Sequence, residues 1–296
     1  MNTKSAFVAI VGRPNVGKSS LLNAFVGEKV AIVTSKPQTT RTRITGVLTR
    51  GDTQLVFIDT PGIHNPKTKL SNYMVRQIKE SVADVDISVL VCEPTGPVAD
   101  TERDLIESFK ARKMPAILAV NKIDALPRKD MMMEKIAALS ALYDFSDIVP
   151  ISVTQGDGLG ILLDKISGFA AEGPHFFDDD AYTDQPERVI VAEIIREKLL
   201  ENLMDELPHG IAVGIERMKE REDGDMMDIH AVIYCEKGSH KGMVIGKKGA
   251  MLKKIGTLAR QDIERFLACR INLQCWVRVK DDWRNREGLI REFGFK

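Results

Sequence analysis

Cysteine is scarce. The 296 residues hold four (Cys92, Cys235, Cys269, Cys275), with no C-x-x-C pair and no histidine at zinc-binding spacing. That excludes a disulfide framework and a zinc finger, and it predicts reduced thiols in a cytoplasmic protein. Long apolar runs are missing too. None approaches the ~20 residues that cross a bilayer, so no transmembrane segment is expected. No N-terminal stretch combines the basic, apolar and small-residue regions of a signal peptide. Low-complexity segments and repeats are absent. Net charge is also lacking, 42 Lys and Arg standing against 42 Asp and Glu. That balance hides a split: residues 173–229 carry 6 basic against 16 acidic side chains, and residues 230–296 carry 15 against 7. An acidic stretch followed by a basic one points to a polyanion partner for the last part of the chain.

What is present is an ordinary globular composition, 44% apolar and 28% charged, at a length that suggests about two domains. Its organising stretch is Gly12-Arg13-Pro14-Asn15-Val16-Gly17-Lys18-Ser19, the spacing G-x-x-x-x-G-K-[ST] of a phosphate-binding loop. Apolar Ala6–Val11 precedes it as a buried strand, and Ser20–Val26 follows with helical spacing. A strand, a glycine turn and a helix start surround an anion with backbone N–H groups at the positive end of a helix, Ser20 lying in the first turn. Lys18 is placed to reach the β- and γ-phosphates, and the Ser19 hydroxyl to bind Mg²⁺.

The polar stretch Thr34–Arg43 is where a switch ordered by the γ-phosphate is expected, although a plain surface loop fits the same composition. Strands Arg43–Arg50 and Gln54–Ile58 follow, with a hairpin at Gly51-Asp52. Asp59-Thr60-Pro61-Gly62 ends the second. Asp59 is placed to hold Mg²⁺ through water, and Gly62 to offer an unhindered N–H to the γ-phosphate. Helices and strands then alternate to about Phe169, which predicts an α/β domain with a mainly parallel sheet and ligands at its carboxyl edge. Asn121-Lys122-Ile123-Asp124 falls on that edge. A buried Asp124 carboxylate pairs with the N1–H and N2 donors of guanine, which adenine lacks. Asn121 ties the loop to the phosphate loop, and the Lys122 stem covers the base.

The second half reads as an acidic linker at 173–187, then helix, two strands, a turn, a long helix and a third strand. Gly246-Lys247-Lys248-Gly249 forms a G-x-x-G turn between helices. Its glycines let single-stranded RNA backbone approach, while Lys247, Lys248, Lys241, Lys253 and Lys254 supply charge. Trp276 and Trp283 can stack on bases, but Trp276 falls in an apolar strand pattern and is expected in the core.

These motifs, with Gln38-Thr39-Thr40-Arg41 and the short Ser152-Val153, resemble those of bacterial ribosome-assembly GTPases of the translation-factor type; the last part resembles a bacterial type II KH domain. The resemblance covers nearly the whole chain. It implies a P-loop GTP-binding domain over 1–172 and a KH RNA-binding domain over 188–296. It implies that Thr40 completes the Mg²⁺ shell and that Ser152-Val153 reaches guanine O6 by backbone, Val153 standing where alanine is usual. It further implies GTP/GDP as ligand, 16S ribosomal RNA and the small ribosomal subunit as partners, a monomer, and a cytoplasmic location with peripheral membrane association left open. Ile63 follows Gly62 where many GTPases carry a water-orienting glutamine, and an isoleucine cannot take that part. Asn15 is a candidate ligand for K⁺. A GTP-dependent RNA-modification enzyme and an RNA-binding scaffold are the alternatives; the first needs an activated nucleophile such as a cysteine beside an acid.

Overall fold

The computed structural model describes residues 2–36, 39–61, 68–81, 85–204, 207–222, 224 and 226–293. Two compact units divide them. The first contains Met1–Ala31, Thr40–Asn65 and Met74–Asp184, and the second Ile32–Thr39, Pro66–Tyr73 and Gln185–Lys296.

In the first unit, β1 (Lys4–Gly12) leads to α1 (Lys18–Val26), and β2 (Ile44–Arg50) turns back into β3 (Thr53–Asp59). Then come α2 (Lys69–Ser81, its start assigned to the second unit), β4 (Ile87–Cys92), α3 (Asp100–Arg112), β5 (Ala116–Val120), α4 (Met133–Ser140), β6 (Asp147–Pro150), α5 (Leu159–Ser167) and a short β7 (Ala171–Glu172). The sheet runs β2-β3-β1-β4-β5-β6, parallel except for the β2–β3 hairpin, with β7 antiparallel to β1. Alternation along β1 explains the layers. Ala6, Val8 and Ile10 face a core with Leu21, Leu22 and Phe25 of α1 and Leu162 and Ile166 of α5. Ala9 and Val11 face the other way, toward Leu105 and Phe109 of α3 and Leu139 of α4. Burial on both faces is what allows such continuous apolar runs.

The acidic stretch after β7 is fastened to this sheet. Buried Gln54 donates to the Phe177 carbonyl (2.9 Å) and accepts from the N–H groups of Phe176 and Phe177. Val47 on edge strand β2 donates to the Tyr182 carbonyl, and the Thr183 hydroxyl to the Thr45 carbonyl. An edge that would otherwise offer unpaired N–H groups is thereby covered.

The second unit contains α6 (Glu187–Asn202), β8 (Ala212–Glu220), β9 (Met226–Cys235), α7 (Gly238–Ile245), α8 (Ala250–Leu267), β10 (Arg270–Val279) and α9 (Glu287–Glu292). Its sheet runs β10-β9-β8, with β10 parallel and β8 antiparallel to β9. Ile229, Ala231 and Ile233 of β9 pack on Val191 and Ile195 of α6 and Ile255 and Ile263 of α8. Buried Arg196 of α6 holds Glu193 and the Thr39 carbonyl, and Glu197 accepts from the Val33 N–H at 3.0 Å.

The tryptophans reverse the expectation. Trp276 is 41% exposed, whereas Trp283 is fully buried, its indole N–H donating to the Gly210 carbonyl at 2.8 Å and its ring edge-on to Phe293. The alternation of β10 decides this: Ile271, Leu273, Cys275 and Val277 take the helix-facing positions, so Trp276 must face outward. Helix α9, beyond the last element that the sequence pattern predicts, brings Phe293 to that contact.

Candidate nucleotide and RNA sites

The turn from β1 to α1 needs its glycines. Gly12 has φ +149° and Gly17 +103°; a Cβ at Gly12 would lie 2.3 Å from the Val91 carbonyl, and one at Gly17 would lie 2.3 Å from Asn121 Nδ2. Asn15 also adopts a left-handed conformation, φ 63°, at the exposed tip beside half-buried Pro14, while Val16 is buried in the core. Lys18 is buried and donates to the carbonyls of Gly12 (3.1 Å) and Arg13 (2.9 Å). Burial lowers its pKa to about 8 against the opposing pull of Asp59.

Three oxygens meet beside it. Ser19 Oγ lies 2.6 Å from Asp59 Oδ2 and 2.8 Å from Thr40 Oγ1, and Thr40 Oγ1 lies 3.4 Å from the same carboxylate oxygen. Asp59 Oδ1 is buried with no hydrogen-bond partner among the described residues. Burial raises the Asp59 pKa to about 6, although Lys18, Ser19, Thr40 and the Thr60 N–H all favour its charged form. An orphaned carboxylate oxygen among two hydroxyls is a hard-oxygen donor set that fits Mg²⁺. Gln38, Gly62 and Ile63 lie outside the described residues.

The base motif sits two strands away along the carboxyl edge. Asn121 Nδ2 donates to the Val16 carbonyl at 2.8 Å, tying the loop after β5 to the phosphate loop as expected, and Asn121 Oδ1 accepts from the Val153 N–H at 3.2 Å. Asp124 is exposed rather than buried. Its carboxylate accepts from the hydroxyls of Ser152 (2.6 Å) and Thr154 (3.3 Å), and the Ser152 bond is the main reason its pKa is held below the usual value. An ionised acceptor at the open edge is what a pair of N–H donors requires. The backbone N–H groups of the expected Ser152-Val153 contact are both engaged within the protein, that of Ser152 by the Asp157 carbonyl and that of Val153 by Asn121 Oδ1.

Glu93 was missed from the sequence. One carboxylate oxygen accepts from Lys122 Nζ (2.7 Å) and the other from the Arg13 guanidinium (2.9 Å), so it links base loop and phosphate loop a second time. Behind it, Glu102 pairs with Lys135 at 2.6 Å in full burial, and Arg13 Nε approaches Glu102 at 3.7 Å. The available signal was position: Glu93 directly follows β4, at the sheet edge where ligands bind.

In the second unit the G-x-x-G turn takes unusual backbone. Gly246 has φ 71° and ψ 177°, and a Cβ there would lie 2.6 Å from Met251 Cβ; Lys248 and Gly249 are also left-handed, at φ 50° and 79°. Val244 is buried on one side and Ile255 on the other, which anchors the turn. Lys241, Lys247, Lys248, Lys253 and Lys254 are all exposed. The expected cluster of cations around a close-approach turn is therefore present.

Residues 7–122 match the family described as 50S ribosome-binding GTPase, and residues 206–284 match the KH domain. The GTPase Era of Clostridioides difficile is 51% identical over 292 residues, 99% of this chain and 98% of that one. The GTPase Era of Ruminiclostridium cellulolyticum is 49% identical over 296 residues, 100% of this chain and 99% of that one. Two solved structures superpose with a TM-score of 0.95 at 37% identity, covering 99% of this chain and of each solved one. The first is a variant of Aquifex aeolicus Era bound to GDP·AlF4−, and the second is Era in complex with MgGDPNP and nucleotides 1506–1542 of 16S ribosomal RNA.

Proposed function

The chain belongs to the Era family of GTPases, and from that premise we propose a GTP-hydrolysing switch that binds 16S rRNA near its 3′ end through the KH domain and acts in small-subunit assembly. The observation that carries the reading is the Ser19–Thr40–Asp59 cluster, with its orphaned carboxylate oxygen, beside buried Lys18. GTP and GDP bind with their phosphates on Gly12–Ser20 and their guanine on Asn121, Lys122, Asp124, Ser152 and Val153. Ser19, Thr40 and Asp59 hold Mg²⁺, which when bound neutralises charge developing on the phosphates. Water attacks the γ-phosphate in line; the Lys18 ammonium and the N–H groups of the phosphate loop and Gly62 stabilise the charge as it spreads. K⁺ near Asn15 is a further part of this reading. Lys241, Gly246, Lys247, Lys248, Gly249 and Lys253 grip RNA backbone. The working domains are 1–172 and 188–296 joined by 173–187, in a monomeric cytoplasmic protein that also meets the inner face of the membrane peripherally. No helix among the described residues is long and apolar enough to cross a membrane.

The RNA-modification reading lacks an activated cysteine. Burial pushes the Cys92 thiol up to about 12 and Cys275 to about 11, and it raises Cys235 and Cys269 as well, whereas a nucleophilic thiol needs its pKa lowered. The test is multiple-turnover GTP hydrolysis with and without 16S fragment 1506–1542, combined with Asp124→Asn. The wild type should hydrolyse GTP catalytically and bind the fragment. The variant should trade guanine for xanthine nucleotide, whose C2 oxygen matches an amide donor. Guanine preference kept in the variant removes Asp124 from base recognition.

A further inference from the structure

The second unit presents a sheet face that no part of the nucleotide or G-x-x-G reading uses. Register defines it. Arg217 of β8, His230 of β9 and Gln274 of β10 form one row across the sheet, and Gly214, Val232 and Trp276 form the next. The intervening residues Ile229, Ala231, Ile233, Ile271 and Val277 point the other way, into the core shared with α6 and α8. The G-x-x-G turn belongs to that helical side, since Val244 and Ile255 flanking it lie in the same core. Trp276 is therefore displayed on the opposite face, with His230 edge-on to its indole at 5.2 Å.

Charge on this face is one-sided. Asp228 is neutralised by Arg221 at 2.8 Å, and Glu216 by Arg278 at 2.7 Å. Arg217, Lys219 and Arg270 are exposed and make no salt bridge among the described residues. The exposed indole shares its face with exposed Gln274 beside it on β10, with Arg217 one row further along the sheet, Lys219 in the row beyond that, and Arg270 at the start of the strand. A β-sheet face that combines aromatic rings with cations stacks splayed bases while neutralising their phosphates.

We propose that this sheet face is a second contact site for single-stranded RNA, in which one base stacks on Trp276 and phosphates further along the same strand meet Arg217, Lys219 and Arg270 in the successive rows. The inference rests on the RNA-binding reading above and adds a surface on the far side of the sheet from the G-x-x-G turn. One RNA long enough to reach both would then be held at two points, which raises affinity through effective concentration.

Fluorescence tests it on the full chain, because the protein has only two tryptophans and Trp283 is buried. The probe is 16S fragment 1506–1542. Bound RNA should quench Trp276 emission and shield it from acrylamide. Trp276→Phe should remove the signal, and Trp276→Ala should weaken RNA binding by about 5- to 100-fold with GTP affinity unchanged. Lys247→Asp with Lys248→Asp serves as the control for the other site. If that pair weakens RNA binding while Trp276 stays unquenched in wild type, or if Trp276→Ala binds with wild-type affinity, the sheet-face site is overturned and the G-x-x-G reading stands. If the fragment leaves Trp276 accessible, and intact small subunits shield it while full-length protein-free 16S RNA does not, a protein docks there and the RNA site is overturned. No binding of the fragment at all would remove both.

Discussion

Lys18 and Ile63 set opposite expectations for the same reaction. Lys18 is the buried cation of the phosphate loop, so Lys18→Ala removes charge from both bound nucleotide and transition state and should abolish hydrolysis while weakening GTP. Ile63 carries no polar group, so Ile63→Ala should retain measurable turnover, and a large loss would give that side chain a part not foreseen here. With no glutamine at this position to orient water, the proposed site has only backbone N–H groups and cations with which to lower the barrier. If a cation near Asn15 contributes, K⁺ should accelerate turnover over Na⁺ at equal ionic strength, and Asn15→Ala should erase the difference; equal rates would remove the cation. Legibility at this scale was uneven. The glycines and Lys18 were readable because the motif is contiguous and its geometry is local, φ +149° at Gly12 and +103° at Gly17 included. Glu93 was not, because its two partners, Arg13 and Lys122, are 80 and 29 residues away in the chain.

Among the elements, the acidic segment after β7 has a pH-sensitive fastening besides its bonds to Gln54, Val47 and Thr45, and it is a histidine. His175 Nε2 faces the Asp52 carbonyl at 3.1 Å, which can only accept, and Nδ1 faces the Asp179 carboxylate at 2.6 Å. Both nitrogens therefore favour carrying a proton, and the pKa is raised, first by Asp179 and then by the Asp52 carbonyl. A raised folded-state pKa contributes stability in full below the unfolded value of about 6.5, and that contribution is lost as pH rises through the folded value. The segment should thus loosen on the alkaline side. Proton NMR of the His175 ring should give a titration above the free-histidine value, and Asp179→Asn should bring it back down. An unshifted titration in the wild type would dissolve the clamp. Elements elsewhere followed their periodicity closely: β5 spans Ala116–Val120, as the apolar run between helices predicts. The end of the chain did not, because α9 is six residues long, too short for a helical period to show.

For the molecule as a whole, the two clusters of the first unit share no residue with that of the second, which implies that damage can be placed in one unit by choice. Trp283→Ala removes a fully buried indole and its bond to Gly210. It should cost about 3–5 kcal/mol of stability in the C-terminal unit, read as a lower denaturant midpoint, whereas Trp276→Ala should leave that midpoint almost unmoved. Replacing Lys247 and Lys248 with Asp should reduce RNA affinity and lower the steepness of its salt dependence by about 1.4, the counterion release of two single-strand phosphate contacts. Nucleotide affinity should not change. A salt dependence as steep as that of the wild type would mean that the phosphates lie elsewhere.

Phosphate binding was determined by the sequence alone, since a phosphate loop acts through consecutive backbone N–H groups whose conformation its own glycines specify. The alternation of helix and strand, and with it the carboxyl edge carrying Asp59, Asn121 and Ser152, followed from apolar spacing for the same local reason. Tertiary structure alone decided that Asp124 stands exposed with Ser152 and Thr154 on its carboxylate, that buried Gln54 fastens residues 176 and 177, and that Trp283 is enclosed against the Gly210 carbonyl, whereas the outward place of Trp276 was already legible in the alternation of residues 270–279. Each of the three structural decisions depends on which distant residues the fold brings side by side, which no local pattern records.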